Sequence, residues 1–276
     1  MNPLRLLNRV FFPPACHQCG SLMNPAEPHE GFPFLCHACH LGLPAKEASR
    51  SCQQCGNLTA EPDRKRCPVC AARTFHTERV YCLYHYTGQL REWLLRCKYS
   101  RADHLVPMLG HLMWRHPLSV DALKGADLVL PVPLHRGRLR QRGFNQSYLL
   151  ADAWLRREAE GGGAIPPLDA TVLARIRNTQ PQAELNWDER ERNVADAFSL
   201  SPEPARGGWS LAGLKGLSGG WNGKGAGTEN PREKIRGKTI LLVDDLLTTG
   251  ATLNACARSL LDGGARRVEA IVLARA

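Results

Sequence analysis

The sequence predicts an α/β protein with a mainly parallel sheet and helices on both faces, preceded by a small loop-rich cysteine region. Three observations predict it. Eight of the 11 cysteines fall in four Cys-x-x-Cys pairs near the start of the chain. From about residue 78, short apolar or β-branched runs alternate with amphipathic helical ones, the pattern of strands joined by crossover helices. A chain of 276 residues that is 43% hydrophobic can bury one ample core and a small satellite. That composition excludes wholesale disorder, and no apolar run reaches the ~18 residues that would span a bilayer. The first sixteen residues are interrupted by Arg5 and Arg9 and make a poor secretory signal. A cytoplasmic location is expected, where cysteines serve as thiols or metal ligands rather than disulfides.

The pairs are Cys16/Cys19, Cys36/Cys39, Cys52/Cys55 and Cys67/Cys70. Each Cys-x-x-Cys turn presents two thiolates to one ion, and two turns complete a tetrahedral site. The spacings suit structural Zn²⁺ ribbons, and Gly20 and Gly56 follow the second Cys of their knuckles, where a tight turn favours positive φ. Pairing of neighbours in order, giving two zinc sites, is the expected arrangement; a cross-braced pairing is the alternative. Residues 44–51 would link the two ribbons. His17, His37 and His40 lie beside the knuckles and read as surface residues. Cys82, Cys97 and Cys256 read as buried thiols.

Residues 1–77 thus form a double zinc-ribbon region and residues 78–276 an α/β domain. Within the latter, residues 80–86 read as a strand. Residues 89–99 place Leu90, Trp93, Leu94 and Cys97 on one helical face, and a second helix is expected over 104–116. Residues 127–132 read as a buried strand, 145–160 as an amphipathic helix ended by three glycines, and 171–174 as a short strand. A strand at 239–243, a helix at 251–262 and a strand at 268–273 complete a β-α-β unit. Residues 201–236 break the rhythm with glycine and isolated Trp209 and Trp221, and read as a flexible insertion.

The net charge of +10 is spread along the chain, with one dense spot. Arg136, Arg138, Arg140 and Arg142 sit without an acid in what reads as a loop after residue 132. Guanidinium forks there suit a polyphosphate or a nucleic-acid backbone; a solvated basic loop is the plainer reading. The most informative stretch is Asp244-Asp245-Leu246-Leu247-Thr248-Thr249-Gly250-Ala251-Thr252. A buried strand ends at two carboxylates and a Thr/Gly loop opens a helix, the place where open α/β sheets bind ligands. Loop N–H groups and the hydroxyls of Thr248, Thr249 and Thr252 suit a phosphate monoester, while Gly250 lets the backbone approach it. Carboxylates beside a phosphate site suit the vicinal hydroxyls of a ribose. Their strand positions point them to opposite sides, so a turn is needed to aim both at one sugar.

This stretch resembles the phosphoribosyl pyrophosphate (PRPP) signature of type I phosphoribosyltransferases. The whole chain resembles the ComF family, whose members join a zinc-ribbon region to a phosphoribosyltransferase-like domain and are associated with DNA uptake in natural competence. The resemblance rests on the knuckles, on Tyr86-Thr87-Gly88 with Lys98-Tyr99, and on Pro131-Val132-Pro133. It continues through Arg142-Gly143-Phe144-Asn145-Gln146, Asn178-Thr179-Gln180-Pro181-Gln182, Arg192-Asn193-Val194 with Ala197-Phe198, and the Asp-Asp signature. The insertion is longer than the family pattern. The resemblance implies a type I phosphoribosyltransferase-like fold, PRPP or a related ligand, and Mg²⁺ accompanying it. It makes Arg136 and Lys98 candidates for the pyrophosphate. Arg138, Arg140, Arg142, Asn145 and Gln146 become candidates for an acceptor base or for single-stranded DNA. Three functional classes stay open: a phosphoribosyl-transferring enzyme, including a nucleotide-salvage one, a DNA-binding module working with competence proteins, and a PRPP sensor.

Overall fold

The computed structural model describes residues 14–23, 34–46, 51–57, 59, 65–100, 102–179, 187–201 and 230–276. Trp209, Trp221, Gln180, Gln182, residues 47–50 of the expected linker and most of the Gly-rich insertion lie outside them.

Two short helices accompany the cysteines, α1 (His37–Leu41) and α2 (Pro68–Ala71). The α/β part opens with β1 (Val80–His85) and α3 (Gly88–Tyr99), whose Leu90, Trp93, Leu94 and Cys97 are buried as their spacing requires. The helix expected over 104–116 begins with a 3-10 turn, continues as α4 (Val106–Arg115) and is followed by an unanticipated α5 (Pro117–Leu123). Pro117 carries no N–H to continue α4, and extended His116 caps α5 through the Leu118 N–H donating to its Nδ1. There follow β2 (Leu128–Pro131), α6 (Arg136–Arg142) and α7 (Gln146–Glu160). Next come β3 (Leu173–Arg175), α8 (Trp187–Val194) and β4 (Phe198–Leu200). Then α9 (Pro231–Ile235), β5 (Thr239–Leu247), α10 (Ala251–Asp262) and β6 (Arg267–Arg275) close the described chain.

The main sheet has the order β1-β6-β5-β2, and every pairing is parallel. Alternation along the strands divides the core. Leu241, Val243, Ile271 and Leu273 meet the cluster that contains Trp93, Met108 and Trp154 of α3, α4 and α7. Ile240, Leu242, Val268, Ala270 and Val272 meet the cluster of Leu253, Cys256, Ala257 and Leu260 from α10. The sheet is therefore covered on both faces, as its apolar strands demand. Strands β3 and β4 make a separate antiparallel pair on the α10 side.

Three expectations are corrected. The basic segment is the helix α6, not a loop. Arginine is a good helix former, His135 caps the first turn by accepting from the Gly137 N–H, and Gly143 at φ +86° ends the helix. The end of the expected insertion, residues 230–236, is built into the fold. Asn230 caps α9, Pro231 occupies its first position and Ile235 is fully buried. Residues 44–46 do more than link ribbons, because they cover the outer edge of β1. Ala45 bridges Tyr84, the Lys46 N–H donates to the Leu83 carbonyl at 2.8 Å, and His85 N–H to that of Pro44 at 2.8 Å.

The cysteine region is fastened to the sheet rather than tethered beside it. Cys16, Met23 and Leu35 join the core cluster of α3 and α4. The second pair of knuckles grips the β1 edge: Val80 N–H donates to the Gln53 carbonyl at 2.6 Å and Arg275 Nε to that of Cys55 at 2.7 Å. Gly56, at φ +66°, lies so close to Cys82 that a Cβ there would fall 2.4 Å from its Sγ.

Candidate functional site

Two four-sulfur groups form. Cys16, Cys19, Cys36 and Cys39 make one, and Cys52, Cys55, Cys67 and Cys70 the other, with all sulfurs of a group within 4.8 Å of one another. Neighbouring knuckles thus pair in sequence order. Cys19 and Cys36 lie 3.8 Å apart, as do Cys55 and Cys67. A tetrahedron with ~2.3 Å metal–sulfur bonds separates its sulfurs by about 3.8 Å, so the donor set fits a Zn²⁺-sized ion. The Cys67 N–H donates to Cys52 Sγ at 3.3 Å, a bond that stabilises a thiolate. His17, His37 and His40 belong to neither group. Cys82, Cys97 and Cys256 are buried free thiols. Each group, with four sulfurs, leaves no open coordination position, which suits holding the fold rather than reacting with substrate.

The second site grows from the end of β5. The sequence places the strand end at Val243, whereas pairing with β6 continues to Leu247. Asp244 and Asp245 therefore sit inside the last turn of strand pairing, not beyond it. Their side chains nevertheless converge on one place, the junction between the end of α3 and the start of α7. Ser147 Oγ donates to Asp244 Oδ1 at 2.8 Å, and Asp245's own N–H donates to the same oxygen at 2.9 Å. Lys98 Nζ pairs with Asp245 Oδ2 at 2.9 Å, both side chains being largely buried. Burial opposes the Lys98 charge, but Asp245 and then Asp244 outweigh it and hold the lysine above its usual range. Burial, then the charge of Asp245, pushes Asp244 up to about 6.

This shift carries a pH signature. A carboxylate raised from its unfolded value near 4 binds its proton more tightly in the folded state, so it costs stability above about pH 6 and the cost is relieved as pH falls towards 4. Asn at 244 keeps an acceptor for Ser147 without the charge. Ligand-free Asp244→Asn protein is therefore expected to be more stable than wild type by about 1–3 kcal/mol at pH 8, with a smaller gap at pH 5, read by urea unfolding. A gap that grows towards low pH would refute the assignment.

Beyond Asp245, Thr248, Thr249 and Gly250 lead into α10. Gly250, at φ +87°, is its N-cap, and Thr249 Oγ1 accepts from the Ala251 N–H at 3.4 Å. Ala251 is buried, while Thr248, Thr249 and Thr252 are half-buried at the mouth. The first turn of α10 faces a cavity of 230 Å³ lined by Arg73, Thr74, Phe75, Glu191, Gly250, Ala251 and Asn254.

Helix α6 starts at the same end of the sheet, since β2 runs parallel to β5 with Pro131 opposite Val243. Arg136 and Arg140 are exposed. Arg138 Nη2 donates to the Thr179 carbonyl at 3.0 Å, and Arg175, on β3, donates to Thr179 Oγ1. Arg142 lies over the Tyr99 ring at 5.8 Å and donates to Gln146 Oε1 at 2.9 Å. Burial lowers the pKa of Arg138 and of Arg175, and each is lowered further by a neighbouring arginine. Among the described residues no carboxylate pairs with Arg138, Arg142 or Arg175.

Asn145 and Gln146 are spent inside the chain. Asn145 caps α7 by accepting from the Ser147 N–H at 3.0 Å, and its Nδ2 holds the Val132 carbonyl at 3.0 Å. Gln146, buried, donates to the Cys97 carbonyl at 3.3 Å. Together they set α7 against β2 and α3, which places Ser147 on Asp244. Sequence reasoning passed over Ser147, Arg175 and Asn254. The only signal for Ser147 was its place two residues after a helix cap, and Arg175 and Asn254 carried none.

The phosphoribosyl transferase domain family matches residues 204–276. The chain is 27% identical over 262 residues to the DNA utilization protein YhgH of Shigella flexneri, covering 88% of this chain and 97% of the relative. It is 25% identical over 250 residues to Competence protein F of Haemophilus influenzae, covering 88% and 90%. It is 23% identical to Competence protein ComFC of Bacillus subtilis over 234 residues, covering 83% and 79%. Among the described residues no helix is long and apolar enough to cross a membrane.

Proposed function

The chain belongs to the ComF family, and from that premise we propose that it binds PRPP, or another ligand bearing a ribose 5-phosphate, between the Asp pair and the Thr248–Thr252 loop. One observation carries the reading: Asp244 and Asp245 converge at the carboxyl end of a central parallel strand that runs straight into a Thr/Gly loop and a helix N-terminus. In this reading the carboxylates accept from the vicinal ribose hydroxyls while loop N–H groups and the three threonines surround the 5′-phosphate. Lys98 brings a cation to the same junction, and Arg136 and Arg138 bring guanidiniums to the same sheet end for a pyrophosphate. The oxygens of the Asp pair suit an accompanying Mg²⁺, which would neutralise charge on the pyrophosphate and keep several of its waters. The two sulfur groups would hold Zn²⁺ as structural ions.

If transfer occurs, the bond from C1′ to the pyrophosphate oxygen breaks as an acceptor nitrogen forms its bond to C1′. The protein's part is to position the ribose and stabilise the leaving charge. Incubating metal-loaded protein with PRPP, Mg²⁺ and a panel of bases is expected to release pyrophosphate with one acceptor. Binding of PRPP without release by any base would leave a sensor, and no binding would remove the reading.

The names of the relatives, DNA utilization and competence, support a setting in DNA uptake. A second reading follows from α6, which has no buried residue and no acid along its length: its arginines contact the phosphates of single-stranded DNA. Affinity for an oligonucleotide is then expected to fall steeply with salt, by about tenfold or more between 50 and 200 mM, and less steeply in Arg136→Ala with Arg140→Ala. Binding that ignores ionic strength would exclude this reading.

A further inference from the structure

The chain leaving the second sulfur group runs directly onto the first turn of α10, and the contact between them is specific. Three residues separate Cys70 from Thr74. The strap Thr74–His76 then crosses to α10, where Asn254 receives it. The His76 N–H donates to Asn254 Oδ1 at 2.6 Å, the His76 ring nitrogen Nδ1 lies 3.1 Å from the same oxygen, and Asn254 Nδ2 donates to the Thr74 carbonyl at 3.4 Å. Phe75, between them, packs against the four cysteines. At its far end the strap returns to the sulfur group. Gln54, between Cys52 and Cys55 and itself buried, donates through Nε2 to the Thr77 carbonyl at 2.9 Å and the Glu78 carbonyl at 2.8 Å. Thr77 Oγ1 donates back to Gln54 Oε1 at 3.2 Å. The strap is thus held at one end by a cysteine of the group and at the other by the residue between two more.

Asn254 N–H donates to the Gly250 carbonyl at 2.8 Å, so the residue that grips the strap also closes the turn that begins the phosphate loop's helix. Arg73, Thr74 and Phe75 form the opposite wall of the cavity that Gly250, Ala251 and Asn254 line. We propose that Asn254 is a positioning residue that couples the Cys52–Cys70 group to the phosphate loop, so that an ion held there and a phosphoribosyl ligand each favour the other's retention. The inference rests on the proposed binding function. The free energy of coupling is reciprocal: whatever factor the ion adds to ligand affinity, the ligand adds to retention of the ion. The Cys16–Cys39 group packs on the other face, with α3 and α4, and supplies an internal reference in the same chain.

The test uses the full-length zinc-loaded protein with a chelator and an alkylating reagent, reading each cysteine by peptide mass spectrometry. PRPP with Mg²⁺ is expected to slow alkylation of Cys52, Cys55, Cys67 and Cys70 about fivefold or more and to leave Cys16, Cys19, Cys36 and Cys39 within about twofold. Asn254→Ala is expected to lose that difference and to bind PRPP about fivefold or more weakly by calorimetry. Equal protection of both groups, or none, in wild-type protein that demonstrably binds PRPP overturns the coupling alone. So does an Asn254→Ala protein that keeps both properties. Should Asn254→Ala fail to fold, the wild-type comparison decides. Wild-type protein that binds no PRPP overturns the binding function and the coupling with it.

Discussion

Replacing Asp244 and Asp245 together by Asn is expected to abolish the thermal stabilisation that PRPP and Mg²⁺ confer on the wild-type protein. A ligand present at a hundred times its Kd stabilises the folded state by about 2.7 kcal/mol, which for a chain of this size is a rise of roughly 5–10 °C in Tm. The double variant should show about 1 °C or less. The comparison has to be made within each variant, because the substitutions also move the ligand-free protein. Asp244→Asn removes a buried charge while keeping an acceptor for Ser147. Asp245→Asn leaves Lys98 in a largely buried place without its carboxylate, which costs about 3 kcal/mol. The two effects on stability oppose each other, yet both act against the ligand. A double variant that PRPP stabilises as much as wild type would place the ribose elsewhere.

Changing Cys52 and Cys55 together to Ser should give the largest stability loss of any pair of surface-distant substitutions in the cysteine region. Zinc content is expected to fall from two ions per chain to one, and unfolding to shift by on the order of 5 kcal/mol or more, since holding a structural ion is itself folding energy. The reason lies in what hangs on these residues. Their segment receives Val80 N–H and Arg275 Nε and, at Gly56, the buried Lys46 ammonium, so it holds the β1 edge and the end of β6. Cys82→Ser, which alters one buried thiol that belongs to neither group, should cost only about 1–2 kcal/mol. Elemental analysis and calorimetry read both. A double Ser variant that keeps two ions would break the assignment of the second group.

Much of this protein could be read from residue order alone, because the signals concerned are local. Knuckle spacing marked the eight cysteines of the two four-sulfur groups, and apolar periodicity marked α3, α7, α10 and the core strands. Gly20 and Gly56 adopt the positive φ that their tight turns require. Composition and periodicity misled where a strand far along the chain intervened, and also where capping residues beside a segment set its course. Pairing with β6 carried β5 through the Asp pair, a cap and a proline divided the helix after residue 105, and the arginine run, which has loop-like composition, coiled because His135 and Gly143 cap it.

The same division separates the chemistry from its arrangement. The sequence by itself determined which groups are available: eight thiolates in four turns, two carboxylates, a Thr/Gly loop and a block of arginines, because residue type and short spacing are covalent facts. Only the tertiary structure decided how they meet. Strand alternation alone sends Asp244 and Asp245 apart, and it is the packing of α3 and α7 that brings Lys98 and Ser147 to collect both carboxylates at one junction. Likewise only the fold brings Asn254, almost two hundred residues from Cys70, onto the short strap that leaves that cysteine. Contacts of that range arise from burying shared surface, and no local pattern records them.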